Sequence, residues 1–269
     1  MDRRSFVAAS LGAAVAPTPG PAGPSAGGPE PGRARPTIYE MRSYRLRFGP
    51  MEARFAEHAK GALVPALNRA GIKPVGAFTV TFGPDTPVVH LLLPHPSAES
   101  VVGLQAALEA DPEYRRAAAA FLGLPASDPP FGRQESWLMA GFASVPGIEA
   151  PAGAQAAPSR IFELRTYESP SWPAGGKKIE MFETAGEIPI FRRLGLNPVF
   201  FGRNLVGPRL PSLTYMLVFA DMAARDKAWA AFRDDPEWVK LRSTPGFANA
   251  DILTNIHVSI LRPTDYSQL

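Results

Sequence analysis

The chain is built from one unit stated twice. Ile38-Tyr39-Glu40-Met41-Arg42-Ser43-Tyr44 returns as Ile161-Phe162-Glu163-Leu164-Arg165-Thr166-Tyr167, with the same order of chemical types. Ala70-Gly71-Ile72-Lys73-Pro74-Val75 returns as Leu194-Gly195-Leu196-Asn197-Pro198-Val199, and Asp111-Pro112-Glu113-Tyr114 as Asp235-Pro236-Glu237-Trp238. From Gly71 to Gly195, Pro65 to Pro189 and Asp111 to Asp235 the step is 124 residues; from Ile38 to Ile161 it is 123, a one-residue loop change. Self-similarity at a fixed step means two copies of one supersecondary unit. Each copy spans roughly 100 residues, a common domain size.

Within each copy the element order follows from local pattern. Tyr39 to Tyr44 reads as a strand, and Met51, Phe55, Ala59, Leu63 and Leu67 share one face of a helix running to Ala70. Gly71 ends that helix, and Pro65 should kink or divide it. Val75 to Phe82 and Val88 to Leu93 form a hairpin across Gly83-Pro84-Asp85-Thr86. Ser97 caps a helix to Ala110, Asp111-Pro112 starts another, and a strand near Ser136 to Phe142 closes the unit. The second copy repeats this order. Its strand begins at Ile161 and one helix runs through Ile179, Phe182 and Phe191. The hairpin lies around Gly207-Pro208, Asp221 caps the next helix, and the last strand is Ile252 to Leu261. The expected fold is α+β: two tandem ferredoxin-like (βαββαβ) units forming a pseudo-dimeric α/β barrel. The units are expected at 37–143 and 160–263, joined by an Ala/Gly/Pro-rich linker at 144–159.

The doubled strand also frames the question of chemistry. Side chains alternate between faces of a strand, so Glu40, Arg42 and Tyr44 share one face with Ile38, and Glu163, Arg165 and Tyr167 share one with Ile161. This Glu-Arg-Tyr row is expected to line the space between the sheets, with Met41, Phe162 and Leu164 packed under helices. A Glu and an Arg two apart can simply pair as buried structural ions. If they serve a ligand instead, Arg42 or Arg165 would hold a carboxylate or enolate oxygen, and Tyr44 or Tyr167 would donate a hydrogen bond.

Residues 1–16 read as a targeting segment. Asp2-Arg3-Arg4-Ser5-Phe6 precedes the apolar run Val7 to Ala16, as in a bacterial twin-arginine signal, and the run is too short to span a bilayer. Ala14-Val15-Ala16 fits a small-x-small cleavage site. Residues 17–36, nearly all Pro, Gly, Ala and Ser, read as a disordered spacer. The expected location is therefore periplasmic or extracellular. The chain has no cysteine, which excludes disulfides, thiolate metal sites and a Cys nucleophile. Its net charge of +3 is spread along the sequence, which argues against nucleic acid as a partner.

The three repeated motifs together resemble the NIPSNAP family, over about Thr37 to Phe142 and Arg160 to Arg262. The resemblance implies the dimeric α/β-barrel fold. Its group includes cofactor-independent monooxygenases, haem-handling enzymes and plain binding proteins, so it implies a fold more firmly than an activity. The four histidines, His58, His90, His95 and His257, have no metal-ligand spacing and no counterparts in the other copy. His58 reads as surface and His95 as a loop residue, while His90, alternating with Val88 and Leu92 on a hairpin strand, reads either as facing the cavity or as a satisfied core histidine. No metal and no cofactor is expected. Ligand-binding candidates are Glu40, Arg42, Tyr44, His90, Glu163, Arg165 and Tyr167. The expected role is binding a small, partly apolar molecule or a protein partner, with a cofactor-independent monooxygenase or isomerase-type enzyme as the alternative. A homo-oligomer is open to such a chain, and a stable membrane span in the mature chain is not expected.

Overall fold

A computed structural model describes residues 36–150 and 152–269; the signal-like segment and nearly all of the spacer lie outside them. Eight strands alternate with helices in two rounds. The first round is β1 (Ile38–Arg45), α1 (Pro50–His58), α2 (Val64–Arg69), β2 (Gly76–Phe82), β3 (Val88–His95), α3 (Ala98–Ala110), α4 (Pro112–Leu122) and β4 (Arg133–Gly141). The second is β5 (Ile161–Glu168), α5 (Trp172–Glu183), α6 (Glu187–Arg193), β6 (Asn197–Val206), β7 (Ser212–Phe219), α7 (Met222–Asp234), α8 (Pro236–Arg242), α9 (Asn249–Ile252) and β8 (Asn255–Pro263).

The strands close into one antiparallel barrel in the order β1-β3-β2-β8-β5-β7-β6-β4. Two seams join the copies: Thr79 of β2 lies opposite Arg262 of β8, and Ala140 of β4 opposite Arg203 of β6. Closure leaves no unpaired sheet edge, which a lone four-stranded sheet would expose. The C-terminal residues strap one seam. The Gln268 N–H donates to the Val75 carbonyl at 2.9 Å, the Val75 N–H donates to Gln268 Oε1 at 2.6 Å, and Leu269 enters the barrel core. The mixed α/β fold with a closed barrel is the one the repeat implies.

The caps fall where the sequence puts them. Ser97 and Asp221 accept from the N–H three residues on, and Asp111 and Asp235 each accept from two N–H groups ahead of a proline-started helix. Gly71 and Gly195 take φ of 83° and 80° past α2 and α6, a left-handed turn that a side chain would strain. The helix over 51–70 divides, as expected of Pro65: two helices are joined by a π-helical turn at Ala59–Leu63, where the Val64 N–H reaches back five residues to the Ala59 carbonyl. Pro65 has no N–H for the carbonyl four residues back, and the wider turn absorbs the mismatch just before it. The helix expected through Ile179, Phe182 and Phe191 likewise divides, between Glu183 and Glu187, with Gly186 at φ 104°.

Three apolar cores result. One lies under the first-half helices and includes Tyr44, Phe55, Leu63 and Leu91; a second lies under the second-half helices and includes Tyr167, Phe182, Phe191 and Tyr215. The third fills the barrel with Tyr39, Met41, Phe78, Phe162, Phe200 and Met216. Burying each such side chain is worth about 1.5–3 kcal/mol. This reverses the expected facing. Tyr39, Met41, Phe162 and Leu164 point into the barrel, and the Glu-Arg-Tyr rows lie on the outer, helix-covered face. The reason is donor supply. A buried carboxylate needs several hydrogen bonds, and on the helix-covered face Glu40 finds Arg42, His95 and Ser136 while Glu163 finds Arg165, Arg225 and Trp229.

Candidate functional site

In the first half the row is a closed ionic knot. Arg42 donates from Nε and Nη2 to the two Glu40 oxygens at 2.8 and 3.0 Å, and Ser136 Oγ donates to Glu40 Oε1 at 2.6 Å. His95 Nε2 lies 3.2 Å from Glu40 Oε2, and its Nδ1 lies 3.1 Å from Ser100 Oγ. Burial pushes the Glu40 carboxyl up, but the bonds from His95, Arg42 and Ser136 more than offset it and hold it down at about 2. Tyr44 packs against Phe55 and Phe131 at 4.7 and 5.2 Å between ring centres. Glu40 and Arg42 are thus paired with each other and Tyr44 is packed among rings.

The second half keeps the row and opens it. Glu163, fully buried, accepts from Arg165 Nη1 at 2.6 Å, from Arg225 Nε and Nη2 at 2.8 and 3.0 Å, and from Trp229 Nε1 at 2.8 Å. Arg225 and Trp229, one turn apart on α7, thus grip the carboxylate from above while Arg165 grips it from the strand. The Arg165 guanidinium rests 4.5 Å over the Trp229 ring and 5.5 Å from that of Tyr167. Its Nε is buried without a hydrogen-bond partner. Tyr167 and Tyr215 share a hydroxyl–hydroxyl bond of 2.8 Å, and burial, reinforced by Tyr167, pushes the Tyr215 phenol well up.

Beside this group lies a cleft of about 460 Å³, lined by Arg165, Tyr167, Lys178, Trp229, Trp238 and Arg242 among others. That is within the range of small-molecule sites. Its wall carries Arg165, Lys178, Arg225, Arg233 and Arg242 against Glu187 and Asp226. Lys178 is committed to Glu187 at 2.7 Å and Arg225 to Glu163 and Asp226, while Arg233 and Arg242 make no ion pair among the described residues. The cleft therefore offers unspent positive charge between aromatic rings.

The two halves differ here position by position. At the repeat steps, Lys178 and Glu187 stand where the first half has the buried apolar pair Phe55 and Leu63. Arg225, Trp229 and Arg242 stand where it has Val101, Gln105 and Ala118. The repeated motifs do not contain these residues, so motif reading overlooks Lys178, Glu187 and Arg225. A residue-by-residue subtraction of one copy from the other is the signal that finds them.

The histidines need two corrections. His58 is not on the surface: it is buried, stacked at 4.1 Å on Phe121, and burial lowers it to about 4. His95 is not in a loop: it ends β3, fully buried, on Glu40. His90 faces the barrel interior at its open end, its Nδ1 2.7 Å from Ser43 Oγ. Among the described residues no cluster of three or more metal-ligating side chains occurs, and no helix is long and apolar enough to cross a membrane.

The NIPSNAP family profile matches residues 39–124 and 162–268, one match to each half. The chain belongs to the NIPSNAP family. A NIPSNAP-like domain protein from Burkholderia xenovorans is 21% identical over 42% of this chain and 91% of its own, with a TM-score of 0.37. A NIPSNAP family protein from Agrobacterium tumefaciens is 22% identical over 41% and 98%, with a TM-score of 0.36. Each of those chains thus spans about half of this one. Across the whole NIPSNAP barrel, a protein from Lactobacillus acidophilus named "putative monooxygenase" covers 85% of this chain and 94% of its own at 9% identity, with a TM-score of 0.57. That likeness is one of fold. No curated protein matches the chain.

Proposed function

We propose that this NIPSNAP chain binds a small anion with an aromatic or otherwise apolar body in the cleft under α5 to α8. The observation that carries the reading is the unspent charge of Arg233 and Arg242, which share the cleft wall with Trp229 and Trp238 in only one of two otherwise matching halves. Charge-assisted hydrogen bonds and ring stacking would hold such a ligand together. Each half is read as a ferredoxin-like unit, since the strands of the first lie in the order β4-β1-β3-β2 and those of the second in the order β8-β5-β7-β6. On this reading the first unit closes the barrel and the second binds.

The test is a titration with 2-naphthoate, followed by quenching of tryptophan fluorescence. Arg242→Ala should weaken binding about tenfold, the cost of one charged hydrogen bond. Binding that is absent in the parent, or unchanged in Arg242→Ala and Arg233→Ala, would end the proposal.

The alternative, a cofactor-independent monooxygenase or isomerase-type enzyme, draws on the name carried by the fold neighbour and on Arg165 lying beside the paired phenols Tyr167 and Tyr215. Uptake of dissolved oxygen above the buffer rate on adding an electron-rich phenol, lost in Tyr167→Phe, would favour it.

Export is a separate part of the proposal and rests on Arg3-Arg4-Ser5-Phe6. Replacing both arginines by lysine should leave the chain inside the producing cell; continued export would remove that reading.

A further inference from the structure

The barrel interior changes character along β1, β3, β5 and β8. On β1 the inward side chains run Tyr39, Met41, Ser43, Arg45, and on β5 they run Phe162, Leu164, Thr166, Glu168. On β8 the run is Leu261, Ser259, His257, and on β3 it is Leu92 then His90. One end is filled by rings and methionines. At the other, small hydroxyl side chains replace them and leave a cavity of about 590 Å³, bounded among others by Ser43, His90, Trp137, Thr166, His257 and Ser259.

The charges around this mouth are spent on one another. Arg45 pairs with Asp85 at 2.7 Å and Glu135 at 2.8 Å, and Glu168 pairs with His257 and lies 3.7 Å from Arg209. What remains for a ligand is neutral. His90 is held below its ordinary value, at about 4, by burial and by Arg45, so its ring is uncharged near neutral pH. With Nδ1 engaged by Ser43 Oγ, Nε2 has no partner among the described residues. When Nδ1 accepts a hydrogen bond from Ser43 Oγ, Nε2 carries the ring's single proton and donates; in the opposite tautomer it accepts. Trp137 stands edge-on to the imidazole at 6.2 Å, and a side chain at Gly207 would come within 2.9 Å of Trp137 Cβ, so the β6–β7 turn packs down on the indole.

The second half holds Thr166 and Thr214 at the positions of Ser43 and His90, with their hydroxyl oxygens 2.9 Å apart. The hydroxyl pair is thus the architectural version of this contact, and Ser43–His90 is the version with a spare ring nitrogen.

We infer that the barrel mouth is a second ligand site, taking a small uncharged molecule that carries a hydroxyl or carbonyl on an apolar ring. The ring would lie along Trp137, Leu164 and Val88, and its oxygen would meet His90 Nε2 or Ser259. The site is chemically complementary to the cationic cleft: one recognises an anion, the other a neutral hydrogen-bonding ring.

The experiment uses the whole chain, labelled with nitrogen-15, and 1-naphthol as the probe at pH 7. The indole N–H resonance of Trp137, assigned by its loss in Trp137→Phe, should move on titration. His90→Phe should weaken binding by tenfold or more, because it removes the donor and fills the space; Ser43→Ala, a milder change, should weaken it about threefold to tenfold. Arg242→Ala should leave 1-naphthol binding unchanged, and His90→Phe should leave 2-naphthoate binding unchanged. A Trp137 resonance that does not move, or affinity that falls in Arg242→Ala and not in Ser43→Ala, would overturn the inference without touching the cleft.

Discussion

Lys178→Met should cost about 3–5 kcal/mol of stability at neutral pH, read as a lower urea midpoint at unchanged slope. Lys178 and Glu187 are 1% and 2% exposed and 2.7 Å apart, with the ammonium 4.4 Å from the Phe182 ring and 5.5 Å from that of Trp238. Removing the ammonium leaves a buried carboxylate without its ion-pair partner. Burial already pushes the Glu187 carboxyl up, with Lys178 and then Arg165 pulling it back; the variant loses the stronger restraint. A carboxyl raised in the folded state contributes stability that is fully present below its unfolded pKa and lost as pH rises through its folded pKa. The deficit of Lys178→Met should therefore shrink on acidification from neutral toward about pH 4. The double variant Lys178→Met/Glu187→Leu, which installs the apolar kind of pair found at Phe55 and Leu63, should return to within about 1 kcal/mol of the parent or exceed it, with no such pH dependence. A single variant as stable as its parent would mean that water reaches the pair.

Glu40 should dominate the acid limb of stability. Its carboxyl falls from an ordinary 4.5 to about 2 in the fold. A lowered carboxyl contributes stability that is present above its unfolded value and lost as pH falls through its folded value. At 1.36 kcal/mol per unit the loss is about 3 kcal/mol between roughly pH 4.5 and 2. Because other carboxylates titrate there too, the measurement is the difference between the parent and Glu40→Gln in chemical unfolding across that window. The Gln variant should be less stable by about 3 kcal/mol or more at neutral pH, since Arg42 keeps its burial and loses its bidentate partner. The gap should close as pH approaches 2. A gap independent of pH would show that Glu40 contributes through shape and not through charge.

Much of this was legible because repetition constrains strongly. Two copies of Ile-x-Glu-x-Arg-x-Tyr, two Gly-x-x-Pro-Val stretches and two Asp-Pro-Glu starts fix element order, helix caps and the left-handed glycines locally, within a few residues of chain. The pairing of Glu with Arg on one strand face also follows from the two-residue period alone. The helix break before Pro65 was legible in part, since a missing N–H marks a fault but not how it is absorbed; the break between Glu183 and Glu187 was not.

The facing of the strands was another matter. Alternation says that Glu40 and Met41 point to opposite sides; it does not say which side the helices cover. That was decided by distant donors, His95 and Ser136 for Glu40, Arg225 and Trp229 for Glu163, because a buried carboxylate goes where several hydrogen bonds converge. The cleft was decided the same way, by Lys178, Glu187, Arg225 and Arg242, which come from four helices and form no motif. Sequence alone therefore determined the doubled architecture, whose signals are local and repeated. Tertiary structure alone decided where space and unspent charge remain, because both depend on side chains brought together from positions that the repeat does not relate.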